Sequence, residues 1–141
     1  MLSSSTSFIS HLDACENKLA LMKPGLAAYQ ALIDALVARR DCVLSRRVLG
    51  GQPWPDKADL AKFNDLVASL SPEQRLGVAA LLMKAREGGI HDTLVELSER
   101  MNLEGLRLSQ NGVELPHEPH GTEMFFDWVA RCAGEKWPHE G

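Results

Sequence analysis

"SPEQRLGVAALLMKAREGGIHDTLVELSERMNLEG", Ser71 to Gly105, contains the clearest helix start in the chain. Ser71 can accept from a free backbone N–H, Pro72 suits the first turn, and Gln74 can reach back to close a capping box. The "RLGVAALLMKA" that follows is apolar on nearly every side. Leu76, Ala79, Ala80 and Met83 face one way; Val78, Leu81, Leu82 and Ala85 face the other. Such a helix normally packs on several sides, so residues 71–87 are expected at the centre of a bundle. Gly88-Gly89 is expected to end it. Ile90, Leu94, Leu97 and Met101 then line up on a further helix, which Gly105 stops.

Upstream, Met1 to Ser7 is Ser-rich and expected to be frayed, with a single helical domain over residues 8–141. Phe8, Leu12, Cys15, Leu19 and Met22 recur at steps of four and three, the spacing of one helical face. Lys23-Pro24-Gly25 interrupts, since proline is disfavoured inside a helix and welcome at its first position. Leu26, Tyr29, Ile33, Leu36, Val37 and Leu44 continue the rhythm in register. Residues 8–48 therefore fit either two helices or one long kinked helix. Gly50-Gly51 ends that segment, and "GGQPWPD" is a loop. Asp56 or Asp59 can cap a helix with Leu60, Phe63, Leu66, Val67 and Leu70 inward.

Downstream, Leu106 and Leu108 alternate with polar residues, as do Val113 and Leu115. Asn111-Gly112 supplies the two positive-φ positions of a type I′ turn. A small β-hairpin over about 106–115 is expected, resting on the helices because two strands alone are marginal in water. The last helix, about Thr122 to Ala133, should bury Phe125, Trp128, Val129 and Cys132 before Gly134. The predicted fold is mainly α: a single-domain bundle of five to six helices around the central helix, with one hairpin.

The composition fits that class. In 141 residues, 45% are hydrophobic and 24% charged, which is ordinary for a globular chain. A net charge of −4 speaks against a nucleic-acid or anionic-membrane partner, where a basic field is needed. Three cysteines, none in a CxxC pair, read as reduced thiols of a cytoplasmic protein. The opening "MLSSSTSFIS" lacks the basic region of a signal peptide, and no apolar run has the length of a membrane span.

The side chains that can carry chemistry do not form a known motif. His91-Asp92 is the pair used by HD metal-phosphohydrolases, but the further ligands of that pattern are absent. A carboxylate in a first helical turn is explained by the helix dipole alone. Glu123 and Asp127, one turn apart, have the spacing of a general acid–base pair. With Arg131 they equally describe a solvated face carrying an i,i+4 ion pair. The catalytic alternative is thus a small metal-dependent hydrolase using His91, Asp92, Glu123 and Asp127. His117 and His120 are the candidate metal ligands, with Cys132 and His139 nearby and no matched pair to complete a tetrahedral set. Arg39 to Arg47 holds four arginines without stacking aromatics. Trp54 and Trp137 lie in Pro-containing loops, where each either seals the bundle or meets a partner. No nucleotide-binding glycine loop, HExxH or nucleophile elbow occurs, and no cofactor is expected.

Gly89-Ile90-His91-Asp92, Asn111-Gly112 with Leu115-Pro116, Gly121-Thr122-Glu123-Met124, and Asp127-Trp128…Arg131…Gly134…Trp137-Pro138 together resemble a family of small uncharacterised bacterial helical proteins, a domain of unknown function. The likeness is strongest over residues 88–138. It implies a shared fold and brings no activity. The expectation is a non-catalytic cytoplasmic protein, an adaptor or immunity-type module for protein–protein interaction. Trp54, Arg107, Glu123, Asp127, Arg131 and Trp137 are its candidate contacts, and a homodimer is possible through the heptad-like first segment.

Overall fold

The computed structural model describes residues 23–55 and 60–138. The apolar stripe from Phe8 to Met22, the expected frayed start and the Asp56 or Asp59 cap lie outside them. The described chain is mainly helical. Helix α1 spans Pro24–Ala38, α2 Val43–Gly50, α3 Ala61–Ser69, α4 Pro72–Leu103 and α5 Met124–Cys132. A two-stranded antiparallel sheet, β1 Ser109–Gln110 and β2 Val113–Glu114, joins α4 to α5.

Helix α4 begins as its sequence dictates. The Gln74 N–H donates to Ser71 Oγ at 3.2 Å, and the Ser71 N–H donates to Gln74 Oε1 at 2.8 Å. It does not stop at Gly88-Gly89. It runs unbroken for 32 residues, about 48 Å at 1.5 Å per residue. Two helical glycines cost roughly 1 kcal/mol each relative to alanine, which the flanking helix and its packing outweigh. The stop comes at Gly105, whose φ of 73° lets the Leu106 N–H return to the Arg100 carbonyl. Asp92 therefore sits in mid-helix, and the dipole account of its charge does not apply.

The apolar side chains do not form one interior around residues 71–87. Two clusters are strung along α4 instead. The larger holds Tyr29, Ile33, Leu94, Met101, Leu115, Met124, Trp128 and Trp137. The smaller holds Val48, Val67 and Ala79, with Trp54, Val78 and Leu82 packed on it. Between Pro72 and Glu87 Ala79 alone is buried, while Leu76 is 62% and Leu81 71% exposed. Helical periodicity shows which side chains share a face, but not whether another element arrives to cover it.

The same limit explains the other departures. Residues 24–48 form two helices separated at Arg39–Cys42, where Cys42 is extended with φ −104° and ψ 112°. The bend lets Tyr29 and Ile33 enter one cluster and Val48 the other. Leu44, expected inward, is exposed in consequence. On α3 Val67 is buried while Phe63 and Leu66 are exposed. On α5 the buried arc is Met124, Asp127 and Trp128, and Val129 is exposed.

The hairpin is as the turn residues require. Asn111 and Gly112 have φ of 52° and 77°, and Ser109 pairs with Glu114 and Gln110 with Val113. Its strands are shorter than the apolar alternation suggests. Leu115 is buried, Leu106 and Leu108 pack on the larger cluster, and Val113 stays exposed. Helix α1 meets the hairpin at Gly25, where a Cβ would run into the Glu114 carbonyl oxygen.

Candidate functional site

Two depressions flank α5. The first follows the seam between α1 and α5, which is built from polar side chains. Asp127 lies on the inward arc of α5 and is 7% exposed. The Tyr29 phenol donates to its Oδ2 at 2.5 Å, and the Thr122 hydroxyl donates to its Oδ1. Burial pushes the Tyr29 phenol far above its ordinary range, helped by its bond to Asp127 and that residue's negative charge. One turn on, Arg131 Nε donates to Asp34 Oδ1 at 2.7 Å and its guanidinium lies over the Trp137 ring. Trp137 Nε1 donates to Asp34 Oδ2 at 3.2 Å. His120 closes the seam, its ring 5.1 Å from that of Trp137. A depression of about 370 Å³ opens beside these groups. Asp127 has both oxygens occupied by hydroxyl donors, so it acts as a buried acceptor joining two helices.

The second depression is a cleft of about 490 Å³ at the middle of α4. Its polar wall is Arg40, Lys84, Glu87 and His91. Lys84 Nζ is 2.8 Å from Glu87 Oε2, and Arg40 Nη1 is 3.8 Å from Glu87 Oε1. Its floor comes from α5: Trp128, Val129, Cys132 and Ala133. Burial pushes the Cys132 thiol up, with Arg40 pulling it down and Glu87 adding to the rise, so the thiol is a neutral part of the floor. The Trp128 indole Nε1 is buried and has no acceptor. Sequence reasoning noted Arg40 only as one of four arginines between Arg39 and Arg47, and it missed Lys84 and Glu87. The i,i+3 spacing of Lys84 and Glu87 beside a Gly-Gly pair was the available signal.

The four residues of the catalytic alternative do not converge. His91 lines the mid-helix cleft, packing edge-on against Phe125 at 5.5 Å between ring centroids. Asp92 is 85% exposed on its side chain and approaches the neighbouring His91 at 3.4 Å. Glu123 precedes α5 and accepts from Asn102 at 3.0 Å. Asp127 faces the other depression. Nor do the candidate metal ligands combine: His117 lies 3.6 Å from Glu118, while His120 stacks on Trp137. Among the described residues no three His, Cys, Asp or Glu side chains are grouped to hold a metal.

The proposed partner contacts divide. Trp137 is 5% exposed and Asp127 is buried, so both belong to the interior. Arg131 pairs with Asp34 across the seam and does not join Asp127 on a solvated face. Trp54 folds back onto the smaller cluster, its backbone N–H donating to Asn64 Oδ1 at 2.7 Å. Arg107 and Glu114 face each other across the hairpin at 3.4 Å, both exposed. No helix among the described residues is long and apolar enough to cross a membrane.

Compared with models of known families, residues 22–139 match one described as a family of unknown function, DUF6547. No curated protein and no solved structure matches the chain.

Proposed function

The chain belongs to this family of unknown function, and from its own residues we propose that it is a non-catalytic protein-interaction module whose docking face is the α2–α3 end of α4. One observation carries the reading. Eleven large hydrophobic side chains are exposed among the described residues, and seven of them lie on α2, α3 and the first half of α4: Val43, Leu44, Leu49, Phe63, Leu66, Leu76 and Leu81. The three elements share a cluster of only Val48, Val67 and Ala79 at their centre. Exposed apolar side chains concentrated on three neighbouring elements support an interaction surface there.

Charge supports a partner of definite chemistry. In sequence, residues 39–86 carry nine Lys and Arg against five Asp and Glu, net +4, while residues 87–141 carry four against eleven, net −7. The overall −4 conceals this division. A partner suited to the α2–α3 end is an acidic segment with apolar anchors, such as an amphipathic helix, steered by charge and held by the leucines. An adaptor or immunity-type role in the bacterial cytoplasm belongs to the same proposal.

Photo-crosslinkers placed at positions 66, 76 and 81 in cells should trap one protein bearing such an acidic amphipathic segment. The Leu76→Asp/Leu81→Asp pair should abolish capture from position 66. Adducts only from position 113 on the hairpin, or none from the three positions, would reject the reading.

A further inference from the structure

We propose that the cleft at the middle of α4 is a binding site for a small organic monoanion, a carboxylic acid with a compact apolar body. The site is separate from the α2–α3 end and does not depend on the reading given to it. Its volume of about 490 Å³ falls in the range of small-molecule pockets, roughly 300–1,000 Å³.

The walls define the ligand. Arg40 and Lys84 contribute two positive charges to the polar wall and Glu87 one negative, so these three groups sum to one positive charge. The Lys84–Glu87 contact is a hydrogen-bonded pair, whereas Arg40 stands 3.8 Å from Glu87, beyond hydrogen-bond reach. The Arg40 Nε–H goes to the Val37 carbonyl, and the planar fork of the guanidinium keeps further donors for an incoming carboxylate. Opposite, Trp128, Val129, Cys132 and Ala133 make an apolar floor for the body of the acid. Trp128 lines that floor and its buried indole N–H has no protein acceptor, a costly state that makes its resonance a sensitive reporter of what occupies the cleft.

Gly88 supplies the remaining feature. A Cβ at this position would meet nothing within 4 Å, so close packing inside the protein does not require glycine. Its φ lies in the ordinary helical region, so backbone conformation does not require it either. Gly88 shares this open space with Gly77 and Gly89, but it alone of the three lines the cleft, where the missing side chain leaves room for the body of the acid.

The test is NMR of the indole N–H groups of the full chain, titrated with phenylacetate and hexanoate, and with 2-phenylethanol as the neutral counterpart. Either acid should move the Trp128 resonance saturably while those of Trp54 and Trp137 stay in place. The alcohol should bind at least about tenfold more weakly, as should the acid to Arg40→Ala, since each loses a charge-assisted hydrogen bond. Gly88→Leu should remove binding with helix content unchanged. Val129→Asp, at an exposed edge of the floor, should do the same should the leucine variant fail to fold. A Trp128 resonance unmoved by both acids, or moved equally by the alcohol, overturns the proposal. So does binding that survives both cleft variants.

Discussion

The phenol of Tyr29 on α1 and the carboxylate of Asp127 on α5 are hydrogen-bonded at 2.5 Å across 98 positions of sequence. Thr122 occupies the second carboxylate oxygen. The pair joins two helices inside the larger cluster, and the chain holds no other tyrosine. Burial, the hydrogen bond and the neighbouring negative charge all keep the phenol protonated. The folded-state pKa is thus raised above the unfolded value of about 10. The resulting stabilisation is complete below pH ~10 and is lost as pH rises further, because the unfolded chain releases the proton first. Tyrosinate absorbance should therefore appear only with loss of helical circular dichroism. Tyr29→Phe should lower stability at neutral pH by about 1–3 kcal/mol, for the acceptor left unsatisfied, and flatten the fall above pH ~10. A native-state tyrosine titration near the ordinary value would contradict the seam.

Two glycines should respond to alanine in opposite directions. Gly89 is helical with open space around it, so Gly89→Ala should stabilise by about 0.5–1 kcal/mol. Gly25 faces the Glu114 backbone carbonyl, which cannot yield as a flexible side chain would. Gly25→Ala should cost about 1–3 kcal/mol. Urea denaturation of both variants checks the continuity of α4 and the docking of α1 on the hairpin together.

Leucines on the one helix should behave differently. Leu94 is fully enclosed, and Leu94→Ala should cost about 2–5 kcal/mol. Leu81 lies in solvent, and Leu81→Asp should change stability by no more than about 0.5 kcal/mol. A large loss from Leu81→Asp in a monomer at low concentration would restore the single-core arrangement.

The thinner cluster should also open more readily. Amide hydrogen exchange is expected to be faster in α2 and α3, which form with α4 a cluster of only three buried apolar side chains, than in α1, α5 and residues 90–101. Equal protection along α4 would mean that its two ends unfold as one unit.

Ser98 is buried and its hydroxyl has no partner. Ser98→Ala removes an unsatisfied polar group and improves helix propensity, so it should be neutral or raise stability by up to about 1 kcal/mol. A marked loss of thermal stability would reveal a hidden partner for that hydroxyl.

Features set within a few residues were legible in the chain itself. The Ser71–Gln74 capping box, the Asn111-Gly112 turn, the ends of helices at Gly105 and Gly134, and the mainly helical class each follow from local backbone chemistry. The inward positions of Leu94 and Met101 follow from spacing. What only the tertiary structure decided is where a local preference is overruled or left unanswered. Gly88-Gly89 stays helical because neighbouring turns and packing outweigh a cost of about 2 kcal/mol. Asp127 turns inward because hydroxyls from Tyr29 and Thr122 wait there, one of them 98 positions away. Leu76 and Leu81 remain in water because no described element reaches them. A side chain's own chemistry states what it needs, but only the folded chain determines which neighbour, if any, supplies it.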